Sequence, residues 1–354
     1  MSLLQETIDS IVPQDQDWRA RARVRLEQLT MPYWALGRLM DLAEDLAGIT
    51  RSVKPDVQRK TIVTMAGDHG VTVEAVSKYP SEVTVQMVHN FVDGGAGINA
   101  LARLNKAKVV VVDMGVAGDL SELAKTGKII SRKIAAGTQN IAKTAAMSRD
   151  EAVRALEAGI EIAAELAAIT DVFGTGDMGI GNTTPSTAIV AAITGSSVAE
   201  VIGWGTGIDD TQLEHKRKII EKSLKVNRPN PSDGMDVLAK VGGFEIGGIA
   251  GLILSAASHR KPVVVDGFIS TAAALIAQVL SPRCTDYIIA AHCSAEPGHK
   301  AMLRHLGKYP LLDLELRLGE GTGAALAMNL VEAAVRILTE VSTFEQARVS
   351  RADK

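Results

Sequence analysis

Phe173-Gly-Thr-Gly-Asp-Met-Gly-Ile-Gly-Asn-Thr-Thr-Pro185 is the stretch of sequence that decides the fold. Four glycines fall within residues 174–181. Residues 167–173, which lead into the stretch, are largely apolar and predict a strand, whereas residues 186–193, which follow it, predict a helix. The sequence therefore predicts a strand, then a glycine-rich loop, and then the N-terminus of a helix.

A junction of this kind suits a phosphate ligand. Glycine lets backbone N–H groups converge on an anion, and the start of a helix adds partial positive charge. Thr183 or Thr184 can cap the helix, and Pro185 suits its first position, where no N–H is needed. Glycine loops are also common at strand ends, so a tight turn without a ligand is the alternative.

Composition limits the possible classes of protein. With 354 residues, two domains or one large domain with an appendage are expected. Aromatic residues make up 3% and the net charge is -3, which argues against nucleic-acid and anionic-membrane partners. The N-terminal residues are polar and acidic, so we expect no signal peptide and a cytoplasmic protein. Cys284 and Cys293 are too few for a disulfide framework or a four-cysteine zinc site, and neither a metal nor a cofactor is predicted.

The order of the predicted elements indicates the fold class. Residues 1–55 are predicted to be helical. Four further strand patterns then alternate with helical ones, at residues 61–65, 108–112, 261–266 and 286–291. Strands and helices that alternate in this way form parallel sheets with right-handed crossovers, so an α/β fold is predicted. Residues 201–210 give another strand-and-glycine pattern.

Two acids stand on glycine-rich segments, Asp177 and Glu320. They fit glycosyl transfer from a nucleotide, because that reaction needs loops that hold a phosphate and a carboxylate that removes one proton. Glu320 can equally be a partner for the dipole of the helix that follows it. Asp68 and His69 end the strand pattern at residues 61–65, where a ligand site and a simple turn are about equally supported.

A dinucleotide-binding site is a competing interpretation, because Gly174, Gly176 and Gly179 match the spacing G-x-G-x-x-G. Gly181, however, adds a further glycine before the helix. The fingerprint also needs an acid at the end of a second strand about 20 residues later, and the best candidate, Glu200, stands before the apolar residues Val201 and Ile202 instead of after a strand. The lysine loop G-x-x-x-x-G-K-[ST] of nucleotide triphosphatases is also missing from the sequence. We therefore discount a nicotinamide dehydrogenase and disfavour a nucleotide triphosphatase.

Eight motifs resemble those of a known enzyme family in the same order, and the resemblance covers about residues 30 to 348. They are AGDHGV (66–71), YPSEVT with QM (79–84 and 86–87), DGGAGIN (93–99), MGIGNTTPSTAI (178–189), VGGFEIGGIAG (241–251), VVDGFISTAAAL (264–275), HCSAEPGH (292–299) and LGEGTGAALA (318–327). The family is nicotinate-nucleotide:dimethylbenzimidazole phosphoribosyltransferase. Together the motifs are specific, although no single one of them would be.

The resemblance implies an activity and an architecture. Ribose 5-phosphate would pass from nicotinate mononucleotide to a benzimidazole-type base, which gives an α-ribazole phosphate and nicotinate for the lower-ligand loop of cobamides. A Rossmann-like parallel-sheet domain flanked by helices would cover residues 56–324. Residues 1–55 and about 325–354 would form a smaller helical domain, and the protein would be a homodimer.

The resemblance also implies roles for individual residues. Glu320 would be the general base that takes the N–H proton of the benzimidazole. The substrate-binding residues would be Gln86, Met178 and Leu318 at the base, Gly179, Gly181 and Asn182 in the nucleotide loop beside Gly176 and Asp177, Lys216 at the phosphate, and Ser294 near the nicotinate or ribose. The family usually has glutamate where this chain has Asp177. Aspartate is one methylene shorter, which bears on any direct contact and on base preference.

Two alternative functions stay open at this point. One is a related phosphoribosyl or nucleoside transferase that uses a phenol or a purine-like acceptor. The other is a non-catalytic subunit that binds the nucleotide or the base.

Overall fold

The fold is built on one parallel sheet. The structure is a computed structural model that describes residues 2–205 and 207–350. Its strands are β1 (Lys60–Gly67), β2 (Lys108–Gly115), β3 (Ile130–Ser131), β4 (Val172–Met178), β5 (Val263–Val265) and β6 (Ile288–Ala290). Their order across the sheet is β3-β2-β1-β4-β5-β6, and every neighbouring pair is parallel. The predicted α/β class and the Rossmann-like parallel sheet are therefore confirmed.

Sixteen helices accompany the sheet in the described residues. Along the chain they are α1 (Leu3–Ser10), α2 (Gln16–Leu26), α3 (Arg38–Thr50), α4 (Glu82–Asp93), α5 (Gly97–Leu104), α6 (Ser121–Lys125), α7 (Arg149–Ala167), α8 (Thr183–Thr194), α9 (Val198–Val201), α10 (Asp210–Asn227), α11 (Gly234–Val241), α12 (Phe244–Ser258), α13 (Phe268–Leu280), α14 (Pro297–Leu306), α15 (Thr322–Glu340) and α16 (Phe344–Ala347). Two short 3-10 segments, Gly70–Glu74 and Pro282–Tyr287, complete the set.

Helices cover both faces of the sheet. Successive strand residues point to opposite faces, so Ile62 joins one buried cluster and Val63 joins the other. The cluster that contains Val63 includes α7, α8, α12 and α13, and the cluster that contains Ile62 includes α3, α4, α5 and α15. A sheet buried on both faces favours runs of β-branched residues, which explains the Val109–Val112 run in β2.

The strand order reverses direction between β1 and β4. From β1 the chain proceeds to β2 on one side, whereas β4, β5 and β6 extend the sheet on the other side. In open α/β sheets, loops diverge at such a point and leave a crevice at the carboxyl ends of the strands. The fold therefore places a crevice beyond Gly67 and Met178, where these two strands end.

The predicted extent of the glycine-rich loop is wrong. Gly174 and Gly176 lie inside β4, and helix α8 begins at Thr183 instead of at Pro185. A Cβ atom on Gly176 would overlap the carbonyl oxygen of Glu320, and one on Gly174 would lie 2.8 Å from Cε of Met328. These two glycines therefore allow α15 and the residues before it to approach the strand closely, and only residues 179–182 form the loop.

The predicted strand at residues 201–210 is also wrong for its described part. Helix α9 ends at Val201, and α10 begins at Asp210 because the Asp209 side chain caps it by accepting from Gln212 N. The N–H and carbonyl of Gly205 bond to side chains, which leaves them unable to pair with a neighbouring strand. Thr206, within the same pattern, lies outside the described residues.

Helices α1 and α15, from the two ends of the chain, pack on opposite faces of the sheet. Helix α1 packs against α7 and α12, whereas α2 and α3 pack together and α3 also contacts α15. Helix α15 in turn contacts β4 and β5. It is long and apolar enough to cross a membrane by length and composition alone, and 56% of its most apolar window is buried inside the protein. The division into a large and a small domain stays a prediction.

Candidate active site

A cavity of about 540 Å³ opens at the carboxyl ends of the strands. Its walls come from the end of β4, the loop before α8, the start of α13 and the segments around residues 292–296 and 317–320. The structure brings together seven of the eleven predicted site residues in these walls: Asp177, Met178, Gly179, Asn182, Ser294, Leu318 and Glu320. The crevice expected from the strand order thus coincides with the motifs singled out in the sequence.

Glu320 is held in one position by several segments. It has a left-handed backbone with φ of 64°, its N–H donates to Asp177 O at 3.2 Å, and its carbonyl accepts from the Thr64 hydroxyl at 2.9 Å. Its Oε2 accepts the N–H of Ile98 at 3.1 Å. Burial raises the pKa of Glu320, the Ile98 N–H opposes this, and Asp266 adds to it. A fixed carboxylate with a raised pKa is well suited to act as a general base.

Asp177 is a second buried acid beside Glu320. Its Oδ2 accepts from Asn182 Nδ2 at 3.0 Å, and its Oδ1 has no hydrogen-bond partner in the part of the chain that the structure describes. Burial, together with the negative charges of Asp266 and Glu245, raises the pKa of Asp177 well above its ordinary value. The protonated carboxyl of Asp177 would be a hydrogen-bond donor, which an ionised aspartate is not.

We expect Asp177→Asn to increase the free energy of unfolding relative to wild type at about pH 8, and the gain to shrink towards pH 4. Because the pKa of folded Asp177 is raised, the wild type is stabilised while this carboxyl is protonated and loses that stability as pH rises through the raised pKa. Asparagine stays neutral and can still accept from Asn182. Denaturant unfolding across this pH range measures the difference. The same change at exposed Asp313 is the control, and a gain that does not vary with pH would contradict the prediction.

Asp266 was missed by the sequence analysis as a site residue. It follows β5, is buried, and accepts the N–H groups of Gly321 at 3.2 Å and Ala324 at 2.9 Å. A carboxylate at this position satisfies free N–H groups at the start of α15. Asp266 thereby fixes the helix that begins directly after Glu320. The only available signal was its place at the end of a predicted strand, within the motif VVDGFISTAAAL.

Lys216 lies behind the part of the cavity wall that Thr183 forms. The side chain, 1% exposed, donates from Nζ to Thr183 Oγ1 at 2.8 Å and to Gly203 O at 3.3 Å. Burial lowers the pKa of Lys216 to about 8, and the carboxylate of Glu296 opposes this shift. Because Thr183 itself lines the cavity at the first residue of α8, an ammonium group and a helix N-terminus meet there. Both features attract an anion.

Glu296 and Arg317 also line the cavity, and neither was predicted. Glu296 Oε1 accepts the N–H of Gly205 at 2.9 Å, and Arg317 Nη1 donates to the carbonyl of the same residue at 3.2 Å. These two charged side chains hold the backbone of Gly205 beside Lys216. The sequence analysis missed both residues because it predicted a strand at residues 201–210, and a strand pattern does not indicate that backbone groups will bond to distant side chains.

Three other predicted residues lie outside the cavity wall. Gln86 is exposed on α4, while Val83 and Met87 of the same helix line the cavity. Gly176 lies within β4 behind Glu320. Gly181 has φ of 86° and makes the turn into α8. The structure therefore gives the two glycines backbone roles, and a direct contact between Gln86 and a ligand stays a prediction.

The Asp68 and His69 pair forms buried contacts below the loop. Asp68 Oδ2 accepts the N–H of Ala117 at 2.8 Å, which agrees with the simple turn. His69 Nε2 lies 2.7 Å from Glu245 Oε1. Burial lowers the pKa of His69, but the negative charge of Glu245 and the hydrogen bond to it outweigh burial and raise that pKa. Within residues 2–205 and 207–350, no group of three or more His, Cys, Asp or Glu side chains is placed to hold a metal ion.

The cavity wall combines two kinds of chemistry. Besides the carboxylate of Glu320 it contains apolar side chains, those of Tyr79, Val83, Met87, Met178 and Leu318. It also contains the polar groups of Thr183 and Gly205, with Lys216 behind them. Fold and cavity together are those of an α/β enzyme whose cavity has features that attract an anion, apolar side chains and a buried carboxylate.

Comparisons with known proteins identify the family. A family model described as phosphoribosyltransferase, DBI_PRT, matches residues 11–349. The chain therefore belongs to this phosphoribosyltransferase family. A relative from Syntrophotalea carbinolica, named nicotinate-nucleotide–dimethylbenzimidazole phosphoribosyltransferase, is 62% identical over 351 residues, which cover 99% of each chain. A relative of the same name from Desulfotalea psychrophila is 58% identical, and the match covers 100% of both chains.

A solved structure agrees with this assignment. The crystal structure of CobT from Thermus thermophilus superimposes with a TM-score of 0.91 at 45% sequence identity, covering 95% of this chain and 100% of that chain. The similarity extends over nearly the whole molecule, so the sheet and the segments around the cavity belong to one shared fold. The enzyme class predicted from the motifs, a phosphoribosyltransferase, is confirmed.

Proposed function

We propose that this enzyme transfers ribose 5-phosphate from nicotinate mononucleotide to dimethylbenzimidazole or a related base, which yields α-ribazole 5′-phosphate and nicotinate for assembly of the cobamide nucleotide loop. The observation that carries the proposal is the position of Glu320. It is a buried carboxylate in the wall of a cavity that also contains apolar side chains and the hydroxyl of Thr183 beside buried Lys216. The curated relatives named for this reaction support it.

The proposed chemistry follows from this arrangement. The phosphate of the ribotide binds beside Thr183 and Lys216, and the aromatic base lies against Met178 and Leu318. One ring nitrogen of the base attacks C1′ from the face opposite nicotinate, and the C1′–N bond breaks with its electron pair left on the pyridine nitrogen. Glu320 accepts the proton from the other nitrogen of the base. Holding both substrates in line supplies much of the rate enhancement.

Product analysis tests the proposal. Purified protein is incubated with nicotinate mononucleotide and dimethylbenzimidazole, and the mixture is separated by chromatography. We expect nicotinate and α-ribazole phosphate in equal amounts, with no release of nicotinate when the base is omitted. Transfer to a phenol or a purine in preference to every benzimidazole would favour the first alternative function. Binding of both substrates without any product would favour the non-catalytic one.

Assembly and location are further parts of the proposal. We expect a homodimer in the cytoplasm, with Gln86 near the base and residues 1–55 plus about 325–354 acting as a smaller helical domain. Large apolar side chains at the mouth of the cavity support self-association, because Tyr79 is 54% exposed and Leu318 is 60% exposed. Light scattering should give twice the mass of one chain.

A further inference from the structure

One histidine occupies a space between the starts of two helices. His292 follows β6 and is buried, and its ring lies between Gly267, the residue before α13, and Gly323 in the first turn of α15. A Cβ atom on Gly323 would overlap the imidazole at Cδ2, and one on Gly267 would lie 3.0 Å from Nε2. Two positions that lack a side chain thus make room for one ring, which also forms part of the cavity wall.

The two ring nitrogens of His292 have different surroundings. Nε2 lies 3.8 Å from Asp266 Oδ1, and the negative charge of that carboxylate favours the tautomer with the proton on Nε2. Nδ1 is buried and has no hydrogen-bond partner among residues 2–205 and 207–350. In this tautomer Nδ1 is an acceptor, and a buried acceptor without a donor destabilises the protein until a ligand supplies one.

The neighbouring histidine cannot supply that donor. The rings of His292 and His299 lie 6.0 Å apart. His299 Nδ1 accepts the N–H of Ser294 at 2.8 Å, and its Nε2 pairs with the Thr271 hydroxyl at 2.8 Å. Both nitrogens of His299 are therefore engaged, and burial lowers the pKa of His299 to about 3, which keeps that ring neutral. No described protein group donates to His292 Nδ1, and His292 lines the cavity, so a ligand bound there is the donor that we consider.

The substrates of the proposed function offer few donors. The phosphate and the carboxylate of nicotinate mononucleotide present acceptor oxygens at neutral pH, and its ring nitrogen is bonded to C1′. The N–H of the base goes to Glu320. The remaining donors are the ribose hydroxyls. Because these substrates are those of the proposed function, the inference rests on that function. We propose that His292 Nδ1 accepts a hydrogen bond from a ribose hydroxyl and makes the enzyme select a ribotide over its deoxy analogue.

A pair of substitutions separates the two nitrogens. The Gln side chain in His292→Gln extends towards Asp266, as Nε2 does, but has no acceptor at the position of Nδ1. The Asn side chain in His292→Asn is shorter and keeps a polar group near Nδ1 while losing the one near Nε2. We measure kcat/KM for nicotinate mononucleotide and for its 2′-deoxy and 3′-deoxy analogues in both variants and in wild type.

The expected result is a loss specific to one hydroxyl. His292→Gln should lower kcat/KM for the ribotide by about 10- to 100-fold and leave that for one deoxy analogue nearly unchanged. His292→Asn should retain most of the ribose preference even if its overall rate falls. An equal loss on all three substrates in His292→Gln would overturn the proposal, because a merely structural role affects them alike.

A control and a second readout keep this test separate from the proposed function. His299→Asn disturbs the same core at a residue outside the cavity wall, and it should slow all three substrates equally. Calorimetric binding of the ribotide and its analogues gives the same preference without turnover. If the wild type prefers the ribotide in binding and His292→Gln loses that preference, but neither protein releases nicotinate, the reaction is refuted and the role of His292 is upheld. A wild type that binds the ribotide and both deoxy analogues with equal affinity would refute the role of His292.

Discussion

Replacing Glu320 with glutamine should lower kcat by about 10²- to 10⁴-fold, the range that a general base contributes. Glutamine has almost the same shape, and its amide oxygen can still accept the Ile98 N–H that Glu320 Oε2 accepts now. It cannot take a proton from the base. The affinity for the ribotide should therefore change by no more than a few fold. Initial rates and calorimetric binding on the same preparation measure both quantities.

The dependence of kcat/KM on pH tests the role of Glu320 in a second way. A base must be ionised, so kcat/KM of the wild type should fall as pH decreases through the pKa of Glu320, which burial raises above the ordinary value of about 4.3. This acid limb should be missing from the residual activity of Glu320→Gln. Glu315 lies five residues earlier and is exposed, so Glu315→Gln is the matched control and should behave as wild type. Near-normal turnover by Glu320→Gln would show that another group removes the proton.

Replacing Lys216 with methionine should reduce kcat/KM for the ribotide by about 10- to 100-fold, mainly through KM. Methionine keeps most of the buried hydrocarbon chain and removes the ammonium group that contacts Thr183. A substrate analogue without the phosphate should react equally well with both proteins. Because burial lowers the pKa of Lys216 to about 8, wild-type affinity for the ribotide should weaken as pH rises above that value.

The same helix supplies the control for this substitution. Lys218 lies two residues further along α10 and its side chain is 67% exposed. Lys218→Met should leave KM unchanged, since Lys218 is exposed, pairs with Glu214 and does not line the cavity. If Lys216→Met binds the ribotide as tightly as wild type, the phosphate binds elsewhere.

Some features of the fold and of the site could be predicted from local sequence. The pattern of residues 61–65 and 108–112 predicts buried parallel strands because β-branched runs suit a sheet that is covered on both faces. An acid between two glycines, as Glu320 is between Gly319 and Gly321, is unusual in this sequence. Glu320 is held by backbone contacts at the cavity. Both features depend on residues close together in the chain, where periodicity and glycine content carry information.

Other features depend on contacts between distant segments. Gly176 looks like part of an anion-binding loop until the carbonyl of Glu320, 144 residues later, is found against it. Asp266 and His292 come from the ends of two different strands and approach each other only when β5 and β6 pair. Gln86 and Met87 are adjacent, and the rotation of α4 that brings Met87 into the wall is set by packing that no local pattern encodes.

The anchoring of Glu320 has a consequence for how such an enzyme can diversify. Its main chain is hydrogen-bonded to Thr64 and Asp177 of the central strands, while Val83 and Met87 of the same cavity wall belong to helix α4. Under the proposed function, the carboxylate that accepts the proton and part of the base pocket therefore lie on separate elements of the fold. Substitutions on α4 would then adapt the pocket to heterocycles of other sizes without displacing Glu320.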